Sequence, residues 1–412
     1  MTGPGDRERS GPVEIPLADP GFGPDERAAV DRVMDSGWLS MGPETAALET
    51  ELAAGLGSDG AVSVSNGTAA LHLALLALGV GPGDEVVVPS LTFVASAAAA
   101  LMVGARPVLV DIVGPHDPTV DPNAVRAALT PRTRAIVAVH YGGWSARLGA
   151  LRAVADAAGA FLVEDAAHAP LVPAADVPGR SLGTVGDAGC FSFHATKNLA
   201  SGEGGMVVAR DPEVRDRVRT LRSHGMTAPS WDHRWGRAAA YDVPQLGFNY
   251  RPTDLTAAIA RVQLARLPGE QAARAELTAE YRRRLADLPV ELPFAAPGEG
   301  PSSYHLLPIV LPTGVDRPAV QAALRAAGIH SGVHYPPVHR FSAYRGMAHG
   351  RLDRTEAVAD RLLSLPLHGR LTTADVGRVV DELAAVLDGS PDSSARSVSQ
   401  PARREVGAAH GG

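Results

Sequence analysis

The segment FSFHATKNLASGEGG, Phe191 to Gly205, sets one lysine, Lys197, in an aromatic and hydroxyl-bearing run that closes on an acidic residue and two glycines. Upstream, Asp165 stands in the stretch EDAAH, just after the apolar run Ala160 to Val163. A lysine amine can hold an aldehyde as a Schiff base, and a carboxylate can keep a pyridine nitrogen protonated. These two handles, delivered separately to one sheet edge, fit a pyridoxal 5'-phosphate (PLP) site. Most lysines are surface residues. Here Phe191-Ser192-Phe193 and the tight Gly204-Gly205 argue for an enclosed one. An ordinary lysine has a pKa of about 10.4, so its surroundings must make it reactive. The Asp165 carboxylate, at the end of an apolar strand, is costly unless paired. Its alternative use is to cap the turn that follows.

A phosphate needs donors at a helix N-terminus. The stretch SNGT, with Asn66, Gly67 and Thr68, falls at a strand-to-helix turn and offers backbone N–H groups and a hydroxyl. Ser192 can supply a second hydroxyl. Phe93 opens the next helix, where its ring either stacks on a flat ligand or fills the core. His168 either meets an oxygen on the ligand ring or is a satisfied interior histidine. The stretch VHYPPVH, Val333 to His339, is unusual for a surface loop and is a candidate lining of a substrate pocket.

Other chemistries fare worse. The spacing G-x-G-x-x-G occurs in GLGSDG, Gly55 to Gly60, but after a helix and before a strand, the reverse of a nicotinamide site. His140, His168, His194 and His224 lack metal-ligand spacing, so no metal is expected. The only cysteine, Cys190, excludes an intrachain disulfide and reads as a small buried hydrophobe. The formal net charge is −7, from 38 basic and 45 acidic residues. No basic block precedes position 200, so a nucleic-acid partner is not expected. The N-terminus has no apolar stretch of signal-peptide kind. The apolar run Ala95 to Val103 is too short to span a bilayer. The expected location is the cytoplasm, without a membrane partner.

These residues must be held by a regular scaffold. From Val62 to Glu164 the pattern alternates: strands at Val62–Val64, Glu85–Val88, Pro107–Asp111, Ala135–Val139 and Phe161–Glu164, with helices between them. Such alternation predicts an α/β fold, a mostly parallel sheet covered by helices on both faces. Ligands of such sheets bind beyond the carboxyl ends of the strands. Four loops fall there: Ser65 to Thr68, Pro89 to Phe93, His140 to Gly143, and Asp165 to His168. Helices are expected at Thr253–Leu267, Ala272–Leu285, Val320–Ala327, Asp353–Leu363 and Thr373–Leu387, with strands at His305–Val310 and Ser331–Val333. The expected units are a flexible arm over 1–20, a large cofactor-binding domain over 21–267, a small C-terminal α+β domain over 268–388, and a disordered tail over 389–412.

The chain resembles the DegT/DnrJ/EryC1/StrS family of PLP-dependent sugar aminotransferases. The likeness runs from GWLS at Gly37 to LPLH ending at His368. It rests on NGTAAL from Asn66, GDEVVVP from Gly83, TFVA from Thr92, EDAAHA from Glu164 and GFNYR from Gly247. The resemblance implies fold type I, with a mostly parallel seven-stranded sheet. It implies Lys197 as the Schiff-base lysine, Asp165 as partner of the ring nitrogen, His168 near the 3-oxygen and Phe93 against the ring. Asn66, Gly67, Thr68 and Ser192 would bind the phosphate, joined by Asn249 from the neighbouring subunit. A homodimer with shared sites follows from that last role. The implied reaction moves an amino group from glutamate or glutamine to a keto sugar, with pyridoxamine 5'-phosphate as the intermediate form. A nucleotide-linked 4-keto-6-deoxy sugar is the favoured acceptor, and amino-sugar or antibiotic biosynthesis the expected setting. A keto cyclitol acceptor, or a dehydration by the same cofactor, is the alternative. The family often has acidic residues after V-H-x-x-G, whereas here Arg147 and Gly149 stand where aspartates are frequent. Bulky Trp144 is expected near the mouth of the site, and Trp144 and Arg147 speak against the nucleotide-sugar branch.

Overall fold

The computed structural model describes residues 14–227, 241–295, 300–347 and 349–389. The tail, most of the N-terminal arm and the segment Ala228 to Trp231 of the HGMTAPSW stretch lie outside the described residues.

Two helices open the chain, α1 (Pro24–Ser36) and α2 (Pro43–Leu56). Each has proline in its first turn, where a missing N–H costs nothing, and a glycine in the left-handed conformation closes it. There follow β1 (Ala61–Val64), α3 (Gly67–Ala77), β2 (Glu85–Pro89), α4 (Ala95–Met102), β3 (Arg106–Val110) and a small ribbon of β4 (Ile112–Gly114) with β5 (Asp117–Val120). Next are α5 (Pro122–Ala128), β6 (Thr133–Val139), α6 (Leu148–Ala158), β7 (Phe161–Asp165), β8 (Ala188–Ser192), β9 (Gly205–Ala209) and α7 (Pro212–Leu221). The seven-stranded sheet has the order β1-β9-β8-β7-β6-β2-β3. Every strand is parallel to its neighbours except β9, which runs antiparallel to both β1 and β8.

Successive side chains of a strand face opposite sides, so an interior strand must be apolar on both. In β2, Val86 and Val88 pack with α3 and α4 on one face, while Val87 joins α5 and α6 on the other. One consequence decides function. The carboxyl ends of β1, β2, β6, β7 and β8 lie on one edge, and β9 starts there, with Ser192 opposite Gly205.

The C-terminal part departs from expectation in three places. Thr253–Leu267 and Ala272–Leu285 are one helix, α8 (Asp254–Leu285), which runs through Pro268. The expected boundary between residues 267 and 268 therefore falls inside a helix. After β10 (Leu307–Val310) and α9 (Arg317–Ala326), the expected helix Asp353–Leu363 stops early as α10 (Asp353–Ala359). Leu362–Leu365 is instead strand β11, paired antiparallel with β10. The stretch Ser331–Val333 makes only one bridge, Gly332 to Ser364. Helix α11 (Thr373–Leu387) completes a second apolar core with α8, α9 and this ribbon.

Helix α8 is tied to the first part of the chain by a buried carboxylate. Asp254 Oδ1 accepts from Gly42 N (2.7 Å), Thr45 N (3.0 Å) and Thr45 Oγ1 (2.6 Å), and Oδ2 accepts from Glu44 N at 3.1 Å. These are the orphan donors of the α2 N-terminus, capped from a distant helix. Asp254→Ala should therefore cost on the order of 3 kcal/mol. An unchanged denaturant midpoint, followed by tryptophan fluorescence, would contradict this.

Candidate active site

Lys197 sits in the connection between β8 and β9, which runs on as an extended hairpin. Phe193 N donates to Gly204 O (2.8 Å), Ala195 N to Gly202 O (3.0 Å) and Ser201 N to Phe193 O (2.8 Å). Phe193 is buried beneath, and Lys197 N closes a turn onto His194 O at 2.8 Å. The lysine is thus projected at the edge where the parallel strands end. There it borders a cavity of about 640 Å³.

Eight of the nine expected site residues line this cavity: Asn66, Gly67, Thr68, Phe93, Asp165, His168, Ser192 and Lys197. Asn249 does not, and is exposed on the turn before α8. Lys197 is half-buried, and its pKa is lowered to about 8 because burial outweighs the opposing pull of the Asp165 carboxylate. Asp165 is buried. Its Oδ2 accepts from Ser96 Oγ at 2.7 Å and its Oδ1 from Ala167 N at 3.2 Å. The carboxylate thus does close the following turn, as the alternative reading had it, and it still borders the cavity.

The phosphate-type donors cluster at the start of α3. Asn66 Oδ1 accepts from Ala69 N at 2.8 Å, so its side chain caps the helix. The N–H groups of Gly67 and Thr68, in the first turn, have no intrahelical acceptor by geometry. A Cβ on Gly67 would lie 2.8 Å from Ser192 Cβ, and one on Gly205 would lie 2.6 Å from the Asn66 carbonyl carbon. Only glycine permits this narrow cradle between α3 and the β8–β9 hairpin.

Phe93 is 52 % exposed, which rules out the core reading, and its ring lies 5.6 Å from that of Tyr335. His168 is satisfied on both nitrogens in this structure. Nδ1 accepts from Gly142 N at 3.2 Å, and Nε2 lies 2.8 Å from Tyr335 Oη. Burial, aided by Lys197 and the neighbouring histidines, holds its pKa well below the usual imidazole value.

Three residues of this wall were missed or only glimpsed. His334 and Tyr335 line the cavity, as the VHYPPVH stretch suggested, whereas His339 of that stretch instead contacts Ser90 (2.6 Å) and Glu356. His305 also lines it, with its ring 4.4 Å from that of His168, and no local motif marks it. Trp144 corrects an expectation. It is 4 % exposed, stacked 5.1 Å from Phe294 with Arg282 over its ring, and does not line the cavity. Arg147 also lies outside the wall and pairs with Asp117 at 3.0 Å. Among the described residues no helix is long and apolar enough to cross a membrane.

An amine poised near neutrality, a buried carboxylate and a glycine-cleared helix N-terminus in one cavity fit the aldehyde, ring nitrogen and phosphate of PLP. The model of the DegT/DnrJ/EryC1/StrS aminotransferase family matches residues 21–384. The chain belongs to that family and is a PLP-dependent aminotransferase of fold type I. The aminotransferase TlmJ from Streptoalloteichus hindustanus is similar at 38 % identity, covering 92 % of this chain and 100 % of that one, with a TM-score of 0.84. DesV of S. venezuelae, solved in complex with a ketimine intermediate, is 39 % identical over 90 % of this chain and 98 % of its own, with a TM-score of 0.82. Spr1654 of Streptococcus pneumoniae, solved in its PLP form, is 28 % identical over 92 % and 99 %, with a TM-score of 0.82.

The lowered lysine pKa has a visible consequence. Only the neutral amine attacks an aldehyde, and its fraction rises with pH up to the pKa. Apo protein given PLP should regain its visible absorbance faster as pH rises to about 8, then level off. A midpoint near 10 would show an ordinary, solvated lysine.

Proposed function

We propose that the protein transfers an amino group from glutamate or glutamine to a keto sugar, with a nucleotide-linked 4-keto-6-deoxy sugar as the favoured acceptor. The observation that carries this reading is the shared cavity, in which Lys197 and Asp165 meet and room remains beside uncharged polar side chains. Bound there, PLP supplies an electron sink for the carbon that gains or loses the amine.

The roles of the side chains follow from their surroundings. Lys197 holds the aldehyde, and once released its Nζ, with a pKa of about 8, takes up and returns a proton near neutral pH. Asp165 pairs with the ring nitrogen; the Ser96 hydroxyl and the Ala167 N–H keep its carboxylate in place. Phe93 offers an exposed aromatic face for the ring. Gly67, Thr68 and Ser192, on the backbone framed by the Asn66 cap, hold the phosphate. His168, on the cavity wall, would stand near the ring's 3-oxygen. Asn249 is exposed and does not itself line the cavity, although Tyr250 beside it does; this supports service to a neighbouring copy's phosphate and a homodimer with shared sites. Trp144 and Arg147 lie outside the cavity wall, so neither side chain stands in the way of a nucleotide-linked acceptor there.

The test is a panel of nucleotide-linked keto sugars and keto cyclitols, incubated with the protein and glutamate or glutamine, with mass detection of aminated product. Product from a 4-keto-6-deoxy sugar supports the reading, and product from the cyclitols alone overturns it. Asp165→Asn should depress amino transfer by at least about 100-fold, in line with the loss of an essential electrostatic partner, while PLP content falls much less. Near-normal transfer would show that another group serves the ring nitrogen. For the shared site, the inactive variants Lys197→Ala and Asn249→Ala are mixed and re-associated. A heterodimer then has one site with both lesions and one with neither, so activity should return. Demonstrated heterodimers without activity would refute sharing.

A further inference from the structure

The tautomer of His168 can be read from its neighbours, and it assigns a role to a residue outside the core PLP apparatus. The backbone N–H of Gly142 donates to Nδ1, so Nδ1 must present a lone pair and the single ring proton sits on Nε2. That Nε2–H can only donate to the atom it faces, Tyr335 Oη at 2.8 Å. Tyr335 therefore accepts from His168 and keeps its own hydroxyl hydrogen. Among the described residues no protein acceptor takes that hydrogen, and Tyr335 lines the cavity. Burial holds the phenol well above its usual pKa, so the group stays a neutral donor at any working pH.

The neighbours share this character. His305 Nδ1 faces Asn198 Oδ1 at 2.9 Å, and the Asn198 amide is oriented by its donation to Ser303 O at 2.7 Å. His305 thus carries its proton on Nδ1 and turns a bare Nε2 lone pair elsewhere. His334 is held through Nδ1 by Ser364 Oγ at 2.9 Å, and burial lowers its pKa to about 4. All three imidazoles are neutral at physiological pH. Lys197 is the one lysine among the described residues that line the cavity, no arginine joins it there, and Asp165 and Glu203 are the carboxylates. A wall made largely of neutral donors and acceptors beside the exposed face of Phe93 suits an uncharged, oxygen-rich ring. The wall is also firmly placed, since Tyr141 Oη donates to His334 O beneath it.

We propose that Tyr335 is a substrate-binding residue of the acceptor half-reaction, donating its hydroxyl hydrogen to a carbonyl or hydroxyl oxygen of the keto sugar, with His168 fixing the direction of that bond. This deepens the function proposed above and rests on it. The two halves of the reaction can be measured apart, which separates a role toward the acceptor from one toward PLP or the fold. Tyr335→Phe keeps the ring and removes only the hydroxyl. The freed His168 N–H then faces a cavity open to water.

The donor half is followed as loss of PLP absorbance when L-glutamate or L-glutamine is added without acceptor. The acceptor half is followed as gain of that absorbance when protein reconstituted with pyridoxamine 5'-phosphate meets thymidine-diphosphate-linked 4-keto-6-deoxyglucose or the other keto compounds of the panel. Tyr335→Phe should leave the donor half within about 2-fold. It should lower kcat/KM of the acceptor half about 10-fold, mainly through KM, as for one lost hydrogen bond to bound substrate. Equal losses in both halves, or an unchanged acceptor half, would overturn the proposal. PLP content and thermal midpoint matching the parent protein establish that the variant folds. A second variant, Tyr335→His, puts a neutral N–H donor on an aromatic ring and should keep the donor half near the parent's while its acceptor half exceeds that of Tyr335→Phe; an acceptor half no better than that of Tyr335→Phe counts against the proposal. If the parent protein completes the donor half yet aminates no keto compound, the proposed acceptor class fails, and this inference with it. That pattern differs from a working parent with an indifferent variant.

Discussion

Two adjacent carboxylates on one interior strand, Glu164 and Asp165 of β7, impose the constraint around which the site is arranged. Neighbours on a strand face opposite sides of the sheet, so the pair serves two purposes at once. Glu164 is fully buried and accepts from Gly183 N (2.7 Å), Val185 N (2.7 Å), Gly186 N (2.6 Å) and His140 Nε2 (2.9 Å). A buried carboxylate survives only when satisfied in this way, since one left without partners would be a stranded charge in the core. Those contacts lock the turn before β8 and the loop after β6 against the end of β7. Asp165, one residue on, is thereby held at the cavity floor. His140 N donates to Asp165 O at 3.1 Å, which ties the two sides of the strand together.

The opposing wall comes from the C-terminal part of the chain. Its placement depends on β10 and β11, whose ribbon carries Ser364 and, through it, His334. Helix α8 adds the buried Arg274, which donates to Leu367 O at 2.7 Å, and Glu164's partner loop is met by Ser302 through its bridge to Trp144. Trp144 therefore works as a joint between the two parts rather than as a gate. The cavity is the seam between a sheet edge rich in fixed donors and a wall of neutral rings. Cofactor handles belong to the first, and the proposed acceptor contacts to the second.

The legible parts of this molecule are those with local periodicity or a strong chemical signature. The βα alternation up to β7 was readable because each strand is a short apolar run bounded by turns. Lys197 and Asp165 stood out because their chemistry conflicts with the apolar runs beside them. The misreadings arose where tertiary contacts override local signals. Two helices were expected, ending at Leu267 and resuming at Ala272, yet the single helix packs along α1, α2 and α11, and that burial outweighs the hydrogen bond Pro268 does not make. The stretch Asp353 to Leu363 has helical character throughout, but Leu362 to Leu365 is claimed by pairing with β10. Trp144 was placed at the mouth because its partners, Phe294 and Tyr304, are far away in sequence. The Tyr335–His168 contact spans 167 positions and carries no motif at either end that names the other.

The central claim is that one lysine, enclosed beside Asp165, carries the cofactor. Borohydride reduction of the PLP-loaded protein, followed by proteolysis and mass spectrometry, tests it most directly. The pyridoxyl mass should appear on the peptide containing Lys197 alone, at about one label per chain. A label on any other residue, or none on protein shown to have taken up PLP, would contradict the account.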